Sequence, residues 1–587
     1  MKILQVITLI LVVVCIILFG AYMVYFSTGL PQSDDFSMMF VFLDRWGESN
    51  SFYEKYLLLT EQFLEHRMIA MKLTVLTIKG LFGRMNIDAV NFVGVTLWFG
   101  IIYLLFRAFR HTRLPAIAFA PVIFFAVNPG YGFDGLFWAA TWMAFPWAIF
   151  LCLISFYFLT FHENKRGLIV AWIFAMLTLF SHGNGISAFV IGLLILVGQK
   201  KWRESLAWGL ASALGYFLFF FNYVSAASSV SSPFSNLFTN TFYVLSSFGI
   251  FTGGAVYFPE HDHDSGPIRA NNIHVILSGL ILSFMVVGYA AWFFWQSWNH
   301  KKVARHVDKK TGQFLLFCIC IGIFVIFTGG LMSCLRTNTH LVGGFAGRYH
   351  FYSVLLFAVV YLAVLCVLPK LASSVQFLGA VIAVTFIFCM GQYWWQTADI
   401  SNRVRVFQAG LYNSRKNGKW MIYGDTRFWE RGVSAYSNEK LWPAGSPNYK
   451  YPDVTIDPEN SQTIKVDARR LSSDHLIDVE NEEDNLGIHL RGDLFQIPMF
   501  AGNVNGTYLC LISGNKTFLY PCYQQRMGLR QFLSGQYYFK PEASVMLKKK
   551  WFPTGSYDLC LYVVNEHKRT LVNTGQNILI KAYPYED

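Results

Sequence analysis

The chain has 587 residues, of which 54% are hydrophobic, 18% aromatic and only 14% charged, with a formal net charge of +12. That is more apolar surface than a soluble fold of this size can hide, which excludes a soluble globular protein and indicates a polytopic α-helical membrane protein. The positive charge does not call for a nucleic acid partner, because the basic residues fall where they set membrane topology and meet anionic lipid headgroups.

Apolar runs near the roughly 20 residues needed to cross a bilayer occur, in chain order, at Leu4 to Phe26, Val90 to Phe109, Leu114 to Val127, Thr141 to Phe161, Leu168 to Phe180, Ile186 to Val197, Leu206 to Ala226, Ile273 to Trp295, Phe314 to Cys334, Phe351 to Leu368 and Phe377 to Trp395. These predict about eleven transmembrane helices, several of them short. Lys2 precedes a long first run with no small-x-small cleavage site after it, so the run reads as an uncleaved anchor with a cytoplasmic N-terminus. Alternating from there, the inner loops hold Arg107, Arg110 and Arg113; Lys165 and Arg166; Lys200, Lys201 and Arg203; and Lys301, Lys302, Arg305, Lys309 and Lys310. The positive-inside rule is obeyed at each of these turns.

The first outer loop, residues 27–87, has helix-like apolar spacing at Phe52, Tyr56, Leu59, Phe63, Ile69, Leu73 and Leu76, which predicts amphipathic helices lying in the interface. It carries an acid pair, Asp34 and Asp35, in Pro31-Gln32-Ser33-Asp34-Asp35-Phe36, and a polar knot, Glu65-His66-Arg67. Carboxylates at a membrane boundary can deprotonate a hydroxyl or hold a cation, and an adjacent His/Arg pair can neutralise a phosphate. The plainer alternative is a hydrated loop in which Asp35 caps a helix.

Further outer loops follow. Asp134 is a third outer acid and candidate base, near Trp138, Trp142 and Trp147, which suit interface anchoring or sugar stacking. His182 and Asn184, in Ser181-His182-Gly183-Asn184-Gly185, can reach a sugar hydroxyl or simply line a tight turn. His261 and His263 form a His-x-His flanked by acids, a pattern able to ligate a divalent metal, although a solvated Pro/Gly turn has the same composition. Before the tenth span come Arg336 and the run Gly343-Gly344-Phe345-Ala346-Gly347-Arg348-Tyr349-His350. Arg348 can make paired hydrogen bonds to phosphate oxygens where glycines admit close approach, or it can snorkel to lipid headgroups. Ionisable residues are nearly absent from the span middles and no internal repeat is visible, which counts against a transporter.

The tail would share the outer face with the acid pair. It opens on a possible helix near Ser401 to Tyr412, passes through a Pro/Asn/Asp-rich stretch, and ends in alternating runs from Gly506 to Leu511 and Ser556 to Val564, which predict a small β-sandwich. The expected division is therefore a transmembrane domain over 1–396 and a β-rich domain over 397–587. Seven of the ten cysteines lie in or beside apolar runs; Cys510, Cys522 and Cys560 lie in the tail, where one pair can form a disulfide if the compartment is oxidising.

The first span, the Asp34-Asp35 pair, the loop helices, the Glu65-His66-Arg67 and Arg348-Tyr349 motifs, the further spans and the soluble outer tail together resemble the GT-C superfamily of integral membrane glycosyltransferases. Within it the chain is similar to bacterial enzymes that modify lipopolysaccharide O-antigen, including the serotype-converting glucosyltransferases. The resemblance implies a hexosyltransferase that moves one sugar from a polyprenyl-phosphate donor to a cell-envelope glycan acceptor at the periplasmic face of a bacterial inner membrane. It assigns Asp34 or Asp35 as general base and Arg348, then Arg67 and His66, with Tyr349, to the donor phosphate. Glu65, Asp134, His182, Asn184 and Arg336 fall to substrate binding. Inversion by single displacement is expected. The acids are adjacent, unlike the Asp-x-Asp of metal-dependent members, so a requirement for Mg or Mn stays open, with His261 and His263 as the candidate ligands. Competing classes are a lipid-linked sugar flippase or polysaccharide transporter, an O-antigen ligase or polymerase, and a membrane anchor for the β domain.

Overall fold

The computed structural model describes residues 2–32, 34–63, 66–162, 164–223, 237–257, 273–298, 308–336, 347–417, 456, 458, 462–465, 476–481, 485–492, 504–535, 537–549, 552–565 and 568–581. The α-helices among the described residues are α1 (Lys2–Phe26), α2 (Phe42–Glu48), α3 (Phe52–Thr60), α4 (Ile69–Phe82), α5 (Ile87–Phe109), α6 (Ala120–Ala126), α7 (Gly132–Leu136), α8 (Ala139–Phe161), α9 (Lys165–Ser181), α10 (Ile186–Gly198), α11 (Trp202–Phe220), α12 (Thr241–Gly253), α13 (Ile273–Trp298), α14 (Lys309–Arg336), α15 (His350–Val367), α16 (Pro369–Ser373), α17 (Val375–Asn417) and α18 (Leu529–Gly535). Each of the eleven apolar runs contains a helix. Among the described residues, 8 helical stretches are long and apolar enough to cross a membrane: α1, α5, Ala116–Leu136, α8, Ile273–Gln296 within α13, Lys309–Leu335 within α14, Gly347–Val367 and α17. Helix α12 was not anticipated from the sequence, because its serines, threonine and glycines dilute the apolar signal.

By internal packing the chain forms two compact units, one of residues 1–21 and 37–393, the other of residues 22–36 and 394–587. In the first, α8 and α15 are apolar all round and buried on most of their surface, as interior helices of a bundle must be. By contrast α1 and α13 expose Val6, Ile10 and Ile17, and Leu277, Ile281 and Phe284, faces that suit lipid and not water. Small residues let α12 and α13 touch through their backbones: a Cβ on Gly279 would stand 2.1 Å from the Gly249 carbonyl oxygen, and one on Gly253 would stand 2.0 Å from that of Val275.

The segment of residues 27–87 contains helices α2, α3 and α4, in line with its spacing. Ser51 and Glu54 form a reciprocal capping box at the start of α3. The other end of α3 is held by buried cations. Lys72 donates to the carbonyls of Leu58, Leu59 and Glu61 at 2.8, 3.3 and 2.7 Å, taking up acceptors that the last turn of a helix cannot satisfy itself.

Among the described residues of the second unit, nine strands form two sheets: β1 (Gln462–Lys465), β2 (Leu476–Asn481), β3 (Asn485–Arg491), β4 (Gly506–Ser513), β5 (Lys516–Pro521), β6 (Tyr523–Arg526), β7 (Phe539–Lys548), β8 (Gly555–Asn565) and β9 (Lys568–Ile580). One sheet has the order β1-β9-β8-β4-β5 and the other β2-β3-β7-β6. They share a core in which Leu509, Leu511, Leu559, Leu561 and Val563 meet Ile488, Leu490, Val545 and Leu547, the sandwich expected from the alternating runs. The intervening residues of the same strands, Tyr508, Cys510, Cys560 and Tyr562, pack with Ala409 and Tyr412 of α17. Period-two alternation thus buries both faces of the five-stranded sheet.

The helix expected at Ser401 to Tyr412 is no separate element but the end of α17, whose 43 residues rise about 64 Å, twice what a bilayer requires. The Tyr538 hydroxyl enters the hydrogen-bond ladder of α17, donating to the Trp394 carbonyl at 2.6 Å and accepting from the Ala398 N–H at 3.1 Å. Arg405, fully buried, donates to the Asn505 carbonyl at 3.1 Å and Gln524 Oε1 at 2.9 Å, and also to Asn402 Oδ1. Gly506, at φ +154°, leaves room for it, since a Cβ there would lie 2.4 Å from the guanidinium.

Candidate functional site

Several candidate residues from distant parts of the sequence come together in the first unit. The turn Gly347–Tyr349, just before α15, sits directly on the segment Pro129–Leu136: a Cβ on Gly347 would fall 1.9 Å from the Tyr131 carbonyl oxygen, and one on Gly135 would fall 2.9 Å from that of Gly347. Glycine at both positions is what allows this backbone contact. The contact holds Arg348 with its guanidinium carbon 5.3 Å from the ring centres of both Trp138 and Tyr349. A cation clasped between two rings is electrostatically favoured and conformationally fixed.

Among the described residues, what this corner lacks is acceptors. Arg348 Nε and Trp138 Nε1 are both buried with no hydrogen-bond partner among the described residues, and so is Nε2 of His350, two residues on in the chain. Among the described residues, no carboxylate forms an ion pair with Arg348. Asp134 is half-buried on α7, the helix that packs against the Arg348 turn. Buried donors cost free energy when unpaired, so this arrangement suits an anionic or multiply accepting group brought by a ligand.

The neighbouring cluster is hydrogen-bonded within itself. Asn184 donates through Nδ2 to the Tyr352 hydroxyl at 2.5 Å, and its Oδ1 lies 2.9 Å from His182 Nδ1. His66 Nδ1 accepts the Gly183 N–H at 3.0 Å, and its ring stacks on that of His182 at 3.9 Å between centres. Phe145 joins the two groups, its ring centre 5.2 Å from His182 and 5.6 Å from Tyr349. His66, His182, Asn184, Arg348 and Tyr349 thus lie in one connected cluster, with Tyr352 and Phe145 as members that sequence reasoning did not single out. Both stand in apolar helices, where nothing in the local pattern marks them.

Arg67 serves differently. Its Nη1 donates to the Thr60 carbonyl at 2.8 Å, its Nε to that of Phe219 at 3.1 Å, and its Nη2 to Phe219 and Phe221 at 2.8 and 2.6 Å, so it caps the ends of α3 and α11 together. Most of its donors are committed, which ranks it behind Arg348 for a phosphate. Burial holds its pKa below the ordinary arginine value, and burial pulls that of Lys72 down to about 8. Met68, next in the chain, adopts a left-handed φ of 56°, a strained turn fixed beside His66.

The acid pair belongs to the second unit, and its members differ. Asp35 is fully buried; its Oδ2 accepts the Gln32 N–H at 2.9 Å while its own N–H donates to the Gln32 carbonyl at 2.9 Å, so it closes the turn. Asp34 is half-buried, and the π-helical turn Phe36–Val41 follows the pair. Arg336 ends α14. Glu65, His261 and His263 lie outside the described residues, and among those described no group of three or more His, Cys, Asp or Glu converges as a metal site.

No family model, curated protein or solved structure matches the chain.

Proposed function

We propose that this protein is a GT-C-type membrane glycosyltransferase of about eleven spans, transferring one sugar from a polyprenyl-phosphate donor to a cell-envelope glycan, such as O-antigen, at the periplasmic face of a bacterial inner membrane. The observation that carries the reading is the Arg348 corner: a guanidinium held by Trp138 and Tyr349, with buried donors that find no acceptor among the described residues, at the end of an apolar membrane-length helix. A lipid phosphate needs a cation and hydrogen-bond donors at headgroup depth, and charge builds on that phosphate as it leaves.

On this reading Arg348 and Trp138 take up the charge of the leaving polyprenyl phosphate, and the His182–Asn184–Tyr352 chain fixes the wall beside it. The acceptor hydroxyl attacks the anomeric carbon with inversion as a carboxylate removes its proton. The resemblance gives that role to Asp34 or Asp35. Clustering of the polar groups at helix ends, away from the span middles, favours chemistry at the surface over transport through the bilayer.

The test is product formation. Purified full chain is incubated with polyprenyl-phosphate sugars and envelope glycans, and acceptor mass is followed by mass spectrometry. Wild type should add one sugar; Arg348→Ala should lower the rate by about a hundredfold or more, and one of Asp34→Asn and Asp35→Asn, the one that removes the base, should abolish transfer. Near-normal turnover in both aspartate variants overturns the assignment of the base. Movement of the lipid-linked sugar across proteoliposomes with no product would identify a transporter instead.

A further inference from the structure

A second site lies between α13, α14 and α15, away from Arg348. It is a cavity of 410 Å³ lined by Phe284, Tyr289 and Trp292 of α13, Cys318 of α14, and Val360 and Val364 of α15, among other apolar residues. It begins at Val359, eleven residues along the chain from Arg348, or about 16 Å along the helix, and extends to Leu368. It therefore belongs to the opposite half of the spans.

Hydrocarbon alone does not complete this cavity. The Tyr289 hydroxyl is buried without a hydrogen-bond partner among the described residues, and its ring is fixed by stacking on Trp292 at 5.4 Å. A phenol buried in an apolar setting wants an acceptor, and the membrane supplies one at this depth in the ester carbonyl of a glycerolipid. At about 30 Å³ per water-sized group, the volume holds a chain of some dozen methylenes. Basic residues stand toward one end of the groove, where they outnumber Asp308, which is paired with Arg113. Lys370 follows Leu368 by two residues, and Lys309 and Lys310 open α14 about 13 Å before Cys318; all three are exposed. An apolar slot, a buried hydroxyl and a basic rim match three parts of one molecule: acyl chain, ester and anionic phosphate.

We infer that this groove is a binding site for an anionic glycerophospholipid, with one acyl chain in the cavity and its ester carbonyl accepting from Tyr289. Gly288 provides the test, because it lines the groove and a Cβ there meets nothing within 4 Å, so a side chain can start from it without a backbone clash.

The full chain in detergent is titrated with palmitoyl-oleoyl phosphatidylglycerol, and in parallel with the phosphatidylcholine of the same chains, and adducts are read by native mass spectrometry. Wild type should hold one phosphatidylglycerol more tightly than the rest. Gly288→Phe should weaken that adduct at least tenfold, Tyr289→Phe severalfold, and phosphatidylcholine should bind more weakly than phosphatidylglycerol. Arg348→Ala should leave the adduct in place, which separates this site from the proposed donor site. An adduct unchanged by Gly288→Phe, or one lost only with Arg348→Ala, overturns the inference; equal retention of both lipids overturns the anionic preference. Thermal unfolding of each variant shows whether a loss reflects the groove or the fold.

Discussion

Arg348 and Arg67 stand in outer segments of similar composition, yet one has its donors taken by carbonyls and the other lies between rings with a buried donor unmatched. Residue type cannot make that distinction, since it depends on which helix ends arrive nearby. Lys72 illustrates the same point: the sequence shows a lysine in an amphipathic helix, and the structure shows a buried cap. Lys72→Met should destabilise the protein by about 1–3 kcal/mol, the cost of leaving buried carbonyls unpaired, measured by thermal unfolding in detergent. A pH dependence follows. The folded pKa of about 8 lies below the usual lysine value of 10.5, so between these limits the unfolded chain holds more protons. Stability must then rise with pH across that window, and the advantage of wild type over Lys72→Met should widen from pH 8 towards 10.5. A constant difference over that range would contradict a charged, buried Lys72.

The decisive contact among the elements is the one between the turn Gly347–Tyr349 and the segment Pro129–Leu136. Gly347→Ala forces a Cβ against the Tyr131 carbonyl, so the turn must shift and carry Arg348 off its rings. Transfer should fall sharply while thermal stability changes by a few degrees at most; full activity in this variant would show that the clamp geometry does not matter. Apolar length and alternation announced the helices and the strands β4 and β8, because burial on one or both faces leaves its period in the sequence. The long α17 was less legible. Polar residues such as Asp399, Asn402 and Arg403 interrupt the apolar run and read as a boundary, whereas the helix continues and packs on the β-sandwich through Ala409 and Tyr412. The pairing of residues near 131 with those near 347 left no sequence signal, since it is written in glycines whose purpose appears only when two backbones meet.

Across the first unit, the ends of the helices separate two chemistries. Arg107 and Arg110 close α5, Lys165 and Arg166 open α9, Lys200 and Lys201 lie between α10 and α11, and Lys309 and Lys310 open α14, with Arg113 paired to Asp308 at 3.4 Å beside them. The site residues take the other ends: the start of α8, the end of α9, the start of α10 and the start of α15. The basic residues thus gather at one set of helix ends and the polar cluster at the other, the kind of asymmetry that the positive-inside rule describes. The claim on which the proposed function turns is that the Arg348 corner takes a lipid phosphate, and it can be measured without knowing the sugar or the acceptor. Binding of a polyprenyl phosphate to the full chain in detergent should be saturable in wild type and at least tenfold weaker in both Arg348→Ala and Trp138→Ala. Equal affinity in the wild type and both folded variants would contradict the account.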